Sequence, residues 1–303
     1  MRPKLLCLAL LCAFGASAAP ANAVTYGISE NQDRMFTHSL FGDLGVKHVR
    51  LVVSYDVMTN TGVDGGEELA RVTRYFQTTK AMGIKVLVSF NHSRGNWRAC
   101  LKKKNRKKKI CKLPSVNEYK TNVGRFIDTF APESVSPWNE INHRSQPTYA
   151  NPVRAAQYTK AVKKLFKGPV VEGDFLDFKF SKSYAKKFRK ALGKRPNICG
   201  LHNYVDVNRN RTDGTKGMMK ALKCKQYWWT ETGGQFKSAG FKPNETRQAG
   251  ATKRMFKMAR QFKAKRVYNY SFFGSPKSDF DAGLINADTD APRKSYTAFA
   301  KGF

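Results

Sequence analysis

The stretch Val46-Lys47-His48-Val49-Arg50-Leu51-Val52-Val53 is a short apolar run of the kind that forms a buried strand. It is followed by the segment Glu67 to Met82, in which apolar residues recur at three- and four-residue spacing with Lys and Arg opposite. A second apolar run, Ile84 to Phe90, comes next. This order of strand, helix and strand is the repeating unit of a parallel α/β sheet.

The same alternation continues along the chain. Strands are predicted at Thr25 to Ser29, Val46 to Ser54, Ile84 to Phe90, Ser134 to Asn139, Pro169 to Asp174, Ile198 to Tyr204, Gln226 to Glu231 and Arg266 to Phe272. Helices are predicted at Glu67 to Met82, Val116 to Phe130, Pro152 to Phe166, Ser181 to Leu192 and Thr246 to Phe262. Eight strands with helices between them predict a single-domain (β/α)8 TIM barrel, with its chemistry at the C-terminal ends of the strands. An open doubly wound sheet is the alternative, but the Gly-x-Gly-x-x-Gly turn that would support dinucleotide binding is missing.

The first 23 residues have the layout of a secretory signal peptide. Arg2 and Lys4 precede an apolar run from Leu5 to Phe14, and small residues end the segment at Ala21-Asn22-Ala23. Its removal would leave residues 24–303 as the single domain of a secreted, extracellular protein. No later stretch approaches the roughly 20 apolar residues that a membrane helix needs, so no membrane span is expected.

Four cysteines remain after the signal peptide: Cys100, Cys111, Cys199 and Cys224. An even number in an exported chain favours two disulfides. The simplest of the three connectivities is local, Cys100 with Cys111 and Cys199 with Cys224. No Cys-x-x-Cys or His-x-x-x-His spacing occurs, so neither a metal nor another cofactor is expected.

Net charge is the most unusual bulk property, at +33 for the full chain. The positive charge is densest in the run from Lys102 to Lys109, which Cys100 and Cys111 enclose, so a solvated basic loop is predicted over residues 100–111. At this charge the protein will concentrate near polyanions, and this loop is a candidate site for an anionic polymer. General solubility without a specific ligand is an equally good interpretation. Nothing in the sequence indicates an oligomer.

Two strings end an apolar, aromatic run with a glutamate: Ser136-Pro137-Trp138-Asn139-Glu140 and Gln226-Tyr227-Trp228-Trp229-Thr230-Glu231. Both glutamates are predicted to lie at strand ends, where they would face one cleft. Paired carboxylates are the minimum equipment for cleaving a glycosidic bond. Arg50 interrupts a buried strand and must be paired, and Glu231 is the preferred partner.

The neighbours expected for each glutamate indicate a different role for each. Arg50 and a hydrogen bond from Tyr204 would stabilise the anion of Glu231, which makes it the candidate nucleophile. Glu140 has no fixed cation nearby in the strand pattern, so a raised pKa is expected and it is the candidate acid/base. Strand periodicity places His202 and Tyr204 on one side, and Trp229 and Glu231 on one side. Aromatic residues at the strand ends would provide platforms for sugar rings.

These residues resemble glycoside hydrolase clan A, the retaining (β/α)8 glycosidases that include families 5 and 39. Trp138-Asn139-Glu140-Ile141-Asn142 looks like the Trp-Asn-Glu-Pro-Asn of that clan's fourth strand, and Thr230-Glu231-Thr232-Gly233 matches its seventh. The resemblance implies that Glu140 is the acid/base, that Asn139 binds the sugar 2-hydroxyl and that Glu231 is the nucleophile.

The same resemblance extends to supporting residues. Arg50, His202 and Tyr204 are similar to residues of family 5, and His92 corresponds to a histidine on its third strand. The eighth strand lacks the tryptophan that commonly floors the first sugar site in family 5, and Tyr270, Phe272 or Phe273 is the expected substitute.

The sequence therefore predicts an exported retaining glycoside hydrolase acting on a β-linked poly- or oligosaccharide. A non-catalytic protein that binds polyanions or cell wall, on an inactive barrel, is the alternative. The sequence does not specify the sugar, the linkage, or whether cleavage is internal or terminal.

Overall fold

The computed structural model describes residues 23–60, 65–94, 111–178 and 180–302. The predicted signal peptide, except for its last residue, lies outside these residues. Cys100 and the run Lys102 to Lys109 also lie outside them.

Eight parallel strands form one sheet whose order around the barrel follows the chain, from β4 through β1 to β8 and on to β5. The strands are β1 (Thr25–Ser29), β2 (His48–Ser54), β3 (Lys85–Asn91), β4 (Ser134–Ser136), β5 (Val171–Leu176), β6 (Ile198–His202), β7 (Gln226–Thr232) and β8 (Arg266–Tyr270). A parallel bridge between Val135 and Val170 brings β4 and β5 together. The architecture is a nearly closed (β/α)8 barrel, which confirms the predicted fold class.

Helices pack between successive strands. They are α1 (Ser39–Leu44), α2 (Gly65–Ala81), α3 (Val116–Phe130), α4 (Pro152–Leu165), α5 (Ser181–Leu192), α6 (Tyr204–Arg209), α7 (Asp213–Leu222), α8 (Glu245–Gln261) and α9 (Lys294–Ala300). The five long predicted helices are confirmed, whereas α1, α6, α7 and α9 were not predicted. Three of those four span seven residues or fewer, too few turns for a helical period to stand out.

Local chemistry explains where the long helices begin and end. Ser115 accepts a hydrogen bond from the Glu118 amide and so caps α3, and Asn151 caps α4 in the same way, with Pro152 in the first turn. Helix α5 buries Tyr184, Phe188 and Leu192 on one face against the sheet. It stops at a glycine with a φ of 77°, a left-handed conformation that costs glycine little.

The barrel interior changes character along the strands. One inner cluster is apolar: Leu87, Val171, Ile198, Trp228 and Tyr268. Two positions further along their strands, on the same side, Leu87 is followed by Ser89, Trp228 by Thr230 and Tyr268 by Tyr270. The interior is therefore apolar towards the strand starts and polar towards the C-terminal ends, where the predicted site lies.

The disulfide Cys199–Cys224 is present, with the two Cα atoms 6.1 Å apart, as predicted. It joins the beginning of β6 to the residues that precede β7. Cys111 is also disulfide-bonded, and its predicted partner lies outside the described residues.

Within the described part of the chain, no helix has the length and apolar character needed to cross a membrane.

Candidate active site

Glu140 reaches the barrel centre because β4 is short. The strand ends at Ser136, earlier than predicted, and the chain turns through Asn139 and Glu140. The Asn139 amide donates to the Phe90 carbonyl at 2.7 Å and the Ile141 amide to the Asp174 carbonyl at 3.0 Å, which ties the turn to β3 and β5. Glu140 has a φ of 46°, a left-handed conformation that costs about 1–3 kcal/mol in a residue other than glycine. The surrounding hydrogen bonds hold this strained residue in place.

Glu231 faces the same centre because β7 carries an irregularity. Trp229 pairs with Val267 and Thr232 with Asn269, so β7 has one extra residue over this interval. Thr230 and Glu231 consequently both point inwards. The prediction that Trp229 and Glu231 share a side is wrong, because the extra residue resets the alternation and leaves Trp229 against Phe262, the residue that follows α8.

Arg50 is fully buried and lies at the centre of the site. Its Nη1 donates to Glu231 Oε2 at 2.7 Å and to Ser29 Oγ at 3.1 Å, while Nη2 donates to Asn139 Oδ1 at 2.6 Å and to Asp174 Oδ2 at 3.0 Å. The predicted pairing of Arg50 with Glu231 is therefore present, with a second carboxylate beside it.

Asp174 joins the strands beneath the two glutamates. Besides Arg50, its Oδ2 accepts hydrogen bonds from Ser89 at 2.8 Å and Ser136 at 2.9 Å, and its Oδ1 accepts one from Thr230 at 2.7 Å. Burial alone raises the pKa of Asp174, but the charge on Arg50, together with smaller contributions from His202 and the hydroxyl donors, outweighs burial and holds the pKa below its ordinary value. A side chain at position 200 of β6 would collide with this carboxylate, so glycine is required there.

Tyr204 provides the second donor to Glu231. Its phenol donates to Glu231 Oε1 at 3.0 Å. Burial raises the pKa of Tyr204 well above its ordinary value, and the negative charge on Glu231 raises it further, so the phenol stays a donor. The residue begins α6 instead of ending β6 as predicted, but it reaches the expected partner.

Glu140 has histidine neighbours in place of a fixed cation. His202 Nδ1 lies 3.2 Å from Glu140 Oε1, and His143 Nδ1 lies 3.7 Å from Oε2. Burial of Glu140 raises its pKa, but the hydrogen bond from His202 and the charges on both rings, together with that of Arg50, outweigh burial, so the net pKa lies below its ordinary value. The expectation of a raised pKa is wrong, because the contact with His202 comes from a strand 62 residues away.

The two glutamates lie at a separation suited to double displacement. Ligand atoms of Glu140, His202 and Glu231 all lie within 4.8 Å of one another. Retaining glycosidases need carboxyl groups about 5–5.5 Å apart, and inverting enzymes need about 6.5–9.5 Å. Such a cluster is also compact enough for a metal ion, but the Arg50 guanidinium, 2.7 Å from Glu231, places a fixed positive charge there and disfavours a second cation.

A cleft of about 510 Å³ opens above these carboxylates. Its floor includes Glu140, Glu231 and Tyr204, and its walls include Tyr270, Phe178 and Phe280. The Phe280 ring packs edge-on against Tyr204 at 5.3 Å and lies 6.0 Å from the Tyr270 ring. Tyr270 is thus the predicted aromatic residue that reaches the cleft.

Other predicted aromatic residues are buried in the core. Trp138 is 1% exposed and stacks on Tyr158, and Trp229 and Phe272 are fully buried. None of the three offers a ring face to a sugar, so their contribution is packing beneath the site. Phe273, at 1% exposed, is excluded as a platform for the same reason.

His92 lies in a neighbouring pocket of about 410 Å³ instead of the main cleft. The pocket is formed by the ends of β2 and β3 and includes Glu68, Arg71 and Arg94. Burial lowers the pKa of His92, and its Nδ1 is 2.8 Å from the Ser93 carbonyl oxygen.

Several residues of the site were not predicted. The sequence places Asp174 at the end of a predicted strand and indicates no role for it. Phe280 lies in the segment after β8, where no periodic pattern marks it. The three small hydroxyl residues that bond Asp174 all lie within strands and carry no signal that sequence reasoning could use.

Comparison with known proteins supports the fold. No protein-family model matches the chain, and no curated protein matches it. Among solved structures, a family 39 glycoside hydrolase from Bacteroides cellulosilyticus WH2 superposes with a TM-score of 0.61 at 15% identity, over 92% of this chain and 63% of that one. A GH5_18 protein from Bifidobacterium longum subsp. infantis gives a TM-score of 0.66 at 13% identity, over 92% and 78%. An endo-1,4-beta-xylanase from Caldicellulosiruptor owensensis gives 0.63 at 10% identity, over 92% and 97%.

The chain spans 63% of the length of the family 39 structure, so that protein has parts with no counterpart here. At these identities the likeness concerns the fold. The chain has the (β/α)8 barrel that these structures share, which is the fold class that its sequence predicts.

Proposed function

We propose that the protein is an exported retaining glycoside hydrolase that cleaves β-linked glycans by double displacement. One observation carries the proposal: two carboxylates, Glu231 buried and Glu140 partly buried, have oxygens within 4.8 Å of each other and have different partners. Glu231 accepts hydrogen bonds from Arg50 and Tyr204, and Glu140 is in contact with His202.

In the first step, a Glu231 oxygen attacks the anomeric carbon and forms an ester as the glycosidic C–O bond breaks. Glu140 transfers its proton to the departing oxygen, so the leaving sugar departs as an alcohol. Arg50 and Tyr204 hold the Glu231 carboxylate in position for this attack.

In the second step, Glu140 is an anion and removes a proton from water, whose oxygen attacks the same carbon. The ester C–O bond breaks and its electron pair returns to Glu231, which regains its charge beside Arg50. Two inversions give net retention of configuration. His202 stabilises the anionic form of Glu140 that this step requires.

The low pKa of Glu140 raises the question of where the first-step proton is held. His202 is the neighbouring group that can exchange this proton with Glu140, because its Nδ1 is 3.2 Å from Glu140 Oε1 and its Nε2 is 4.0 Å from Asp174 Oδ2. A proton on Nδ1 can pass to Glu140 as negative charge is withdrawn from Glu231.

The cleft walls favour a sugar substrate. Tyr270, Phe178 and Phe280 provide aromatic surface, and the carboxylates and the Tyr204 hydroxyl can bond sugar hydroxyls. In this role Tyr270 and Phe280 replace the missing tryptophan of β8. Structures of similar fold carry the names beta-1,4-mannanase and endo-1,4-beta-xylanase, so β-1,4-linked mannan and xylan are the first substrates to test.

The test is sugar release from a panel of neutral and uronic-acid polysaccharides. The wild type is compared with Glu231→Gln and with a matched control, Glu67→Gln, which makes the same change at an exposed position on α2. We expect the control to match the wild type and Glu231→Gln to lose hydrolysis. Equal activity of Glu231→Gln and the wild type would refute the proposal, as would no release from any glycan.

Two parts of the proposal rest on sequence alone. Export depends on the signal-peptide layout of residues 1–23, and a disulfide is compatible with it. The basic run from Lys102 to Lys109 remains a candidate for recruiting the enzyme to an acidic substrate.

A further inference from the structure

An open groove of about 1060 Å³ lies at the strand N-terminal end of the barrel, opposite to the candidate active site. Its walls are the last turns of α5, the residues that follow that helix, the end of α7 and the beginning of β7. The groove takes no part in the chemistry proposed above.

The charged side chains that line this groove are all cationic: Lys186, Arg189, Lys190, Lys194, Arg195 and Lys223. The sequence explains why the segments that line the groove offer no acid to balance them. There is no Asp or Glu between Asp177 and Asp206, or between Asp213 and Glu231. These four acids lie towards the opposite end of the barrel, and Glu172, nearer the groove, is buried and paired with Lys163.

Helix dipoles account for only part of this cluster. Arg189 and Lys190 lie in the last turn of α5, where cations offset the partial negative charge of the helix end. Lys194, Arg195 and Lys223 lie beyond the helix ends. Six cations around one concavity repel each other, and an anionic ligand would relieve that repulsion.

The floor of the groove is rigid. Cys224 is held by its disulfide to Cys199. The Tyr227 hydroxyl accepts from the Cys224 amide at 2.8 Å and donates to the Met219 carbonyl at 2.9 Å. Arg195 Nε donates to the Lys223 carbonyl at 2.7 Å, which fixes one cationic side chain across the groove. A ligand therefore meets cations on a preformed surface, which lowers the entropy cost of binding.

We propose that this groove binds a linear anionic polysaccharide, whose carboxylate or sulfate groups contact the six cations. Single-stranded nucleic acid is disfavoured because such sites use exposed aromatic rings to stack bases, and Tyr227, the aromatic residue here, is only 8% exposed. Four of the six cations are lysines, which act as point charges and can bind a carboxylate or a sulfate without a requirement for planar geometry.

The position of the groove allows the protein to bind such a polymer without blocking the candidate active site. A polymer held there leaves the cleft at the other end of the barrel open. The groove would then anchor the protein to an acidic glycan matrix, whether or not that glycan is cleaved.

The experiment measures binding of the full chain to four probes: polygalacturonate, heparin, duplex DNA and neutral dextran, at several salt concentrations. The groove variant carries Lys186→Gln, Lys190→Gln, Lys194→Gln and Lys223→Gln. The control variant carries Lys47→Gln, Lys80→Gln, Lys120→Gln and Lys257→Gln, four exposed lysines on other faces. Both lose the same net charge, and circular dichroism verifies that both fold.

The groove variant should bind polygalacturonate or heparin about 10- to 100-fold more weakly than the wild type, since four exposed ion pairs are lost. It should also show a shallower salt dependence, and the control variant should stay within about threefold of the wild type. Preference for polygalacturonate over heparin would identify carboxylate as the ligand group, and the reverse would identify sulfate. Equal losses in both variants would overturn the proposal in favour of general surface charge. Tightest binding to duplex DNA, lost in the groove variant, would overturn it in favour of nucleic acid.

Discussion

Tyr204 is the side chain whose removal tests the catalytic geometry most selectively. Tyr204→Phe deletes one hydroxyl group and keeps the ring, which packs against Phe280 at 5.3 Å. The hydroxyl donates to Glu231 Oε1 at 3.0 Å, and Arg50 remains as the other donor to that carboxylate. The fold and the charge of the site are therefore kept.

The size of the effect follows from the change in charge on Glu231. A hydrogen bond to a charged group is worth about 1.5–3 kcal/mol. When the glycosyl ester is hydrolysed, the Glu231 carboxylate regains only part of its charge at the transition state. The full energy of the hydrogen bond therefore sets an upper limit on the decrease in rate, about 10- to 150-fold. We expect a decrease in kcat of about tenfold. In the first step Glu231 loses charge, so kcat/KM should fall less than kcat.

The assay follows 4-nitrophenolate release from aryl β-glycosides, with steady-state and pre-steady-state measurements. Tyr204→Phe should show a burst of nitrophenolate, because the second step becomes slower than the first. Tyr184→Phe is the matched control, since it deletes a buried hydroxyl that donates to the Thr148 carbonyl at 2.9 Å. A kcat for Tyr204→Phe within twofold of the wild type, or an equal decrease in the control, would refute this account of Glu231.

Three further predictions concern charge and protonation. Arg50→Met should lower the free energy of unfolding by about 3–5 kcal/mol in urea titration, since it leaves two buried carboxylates without their cation, and an unchanged midpoint would contradict the buried pairing. His202→Gln should move the alkaline limb of kcat/KM to higher pH, because His202 lowers the pKa of Glu140 and burial would then dominate; a downward shift would argue against this role. Burial raises the pKa of Asp177 from 3.8 to about 7. Between these two pH values the folded state keeps a proton that the unfolded chain has released. Stability should therefore fall as pH rises from 4 to 7, by up to about 4 kcal/mol from this group, and thermal melts of Asp177→Asn should show a smaller fall.

The fold could be predicted from the sequence because its signal is repeated. Each of eight apolar runs is followed by a segment or turn that returns the chain, and parallel strands covered on both faces require such runs. A single misjudged boundary, such as β4 ending at Ser136 instead of Asn139, does not change the count. The sequence does not indicate short helices such as α6, because six residues are too few to show a helical period of apolar residues.

The site was predictable where residue type alone forces a partner. Arg50 in an apolar strand must be paired, and the pairing with Glu231 is present. Details that depend on backbone irregularity were not predictable. The extra residue in β7 turns Trp229 away from Glu231, and strand alternation cannot show it. His202 lies beside Glu140 because closure of the barrel brings the end of β6 close to the turn that follows β4. Strand alternation does not show that contact either.

The most direct test of the central claim is covalent trapping of the nucleophile. The protein is incubated with an activated 2-deoxy-2-fluoro β-glycoside of the sugar that the panel identifies, and intact mass and peptide fragments are measured. The account predicts one added glycosyl unit per chain, located on Glu231, and none on Glu140. A protein that turns over the parent substrate with inversion of anomeric configuration, or that carries the label at another residue, would contradict it.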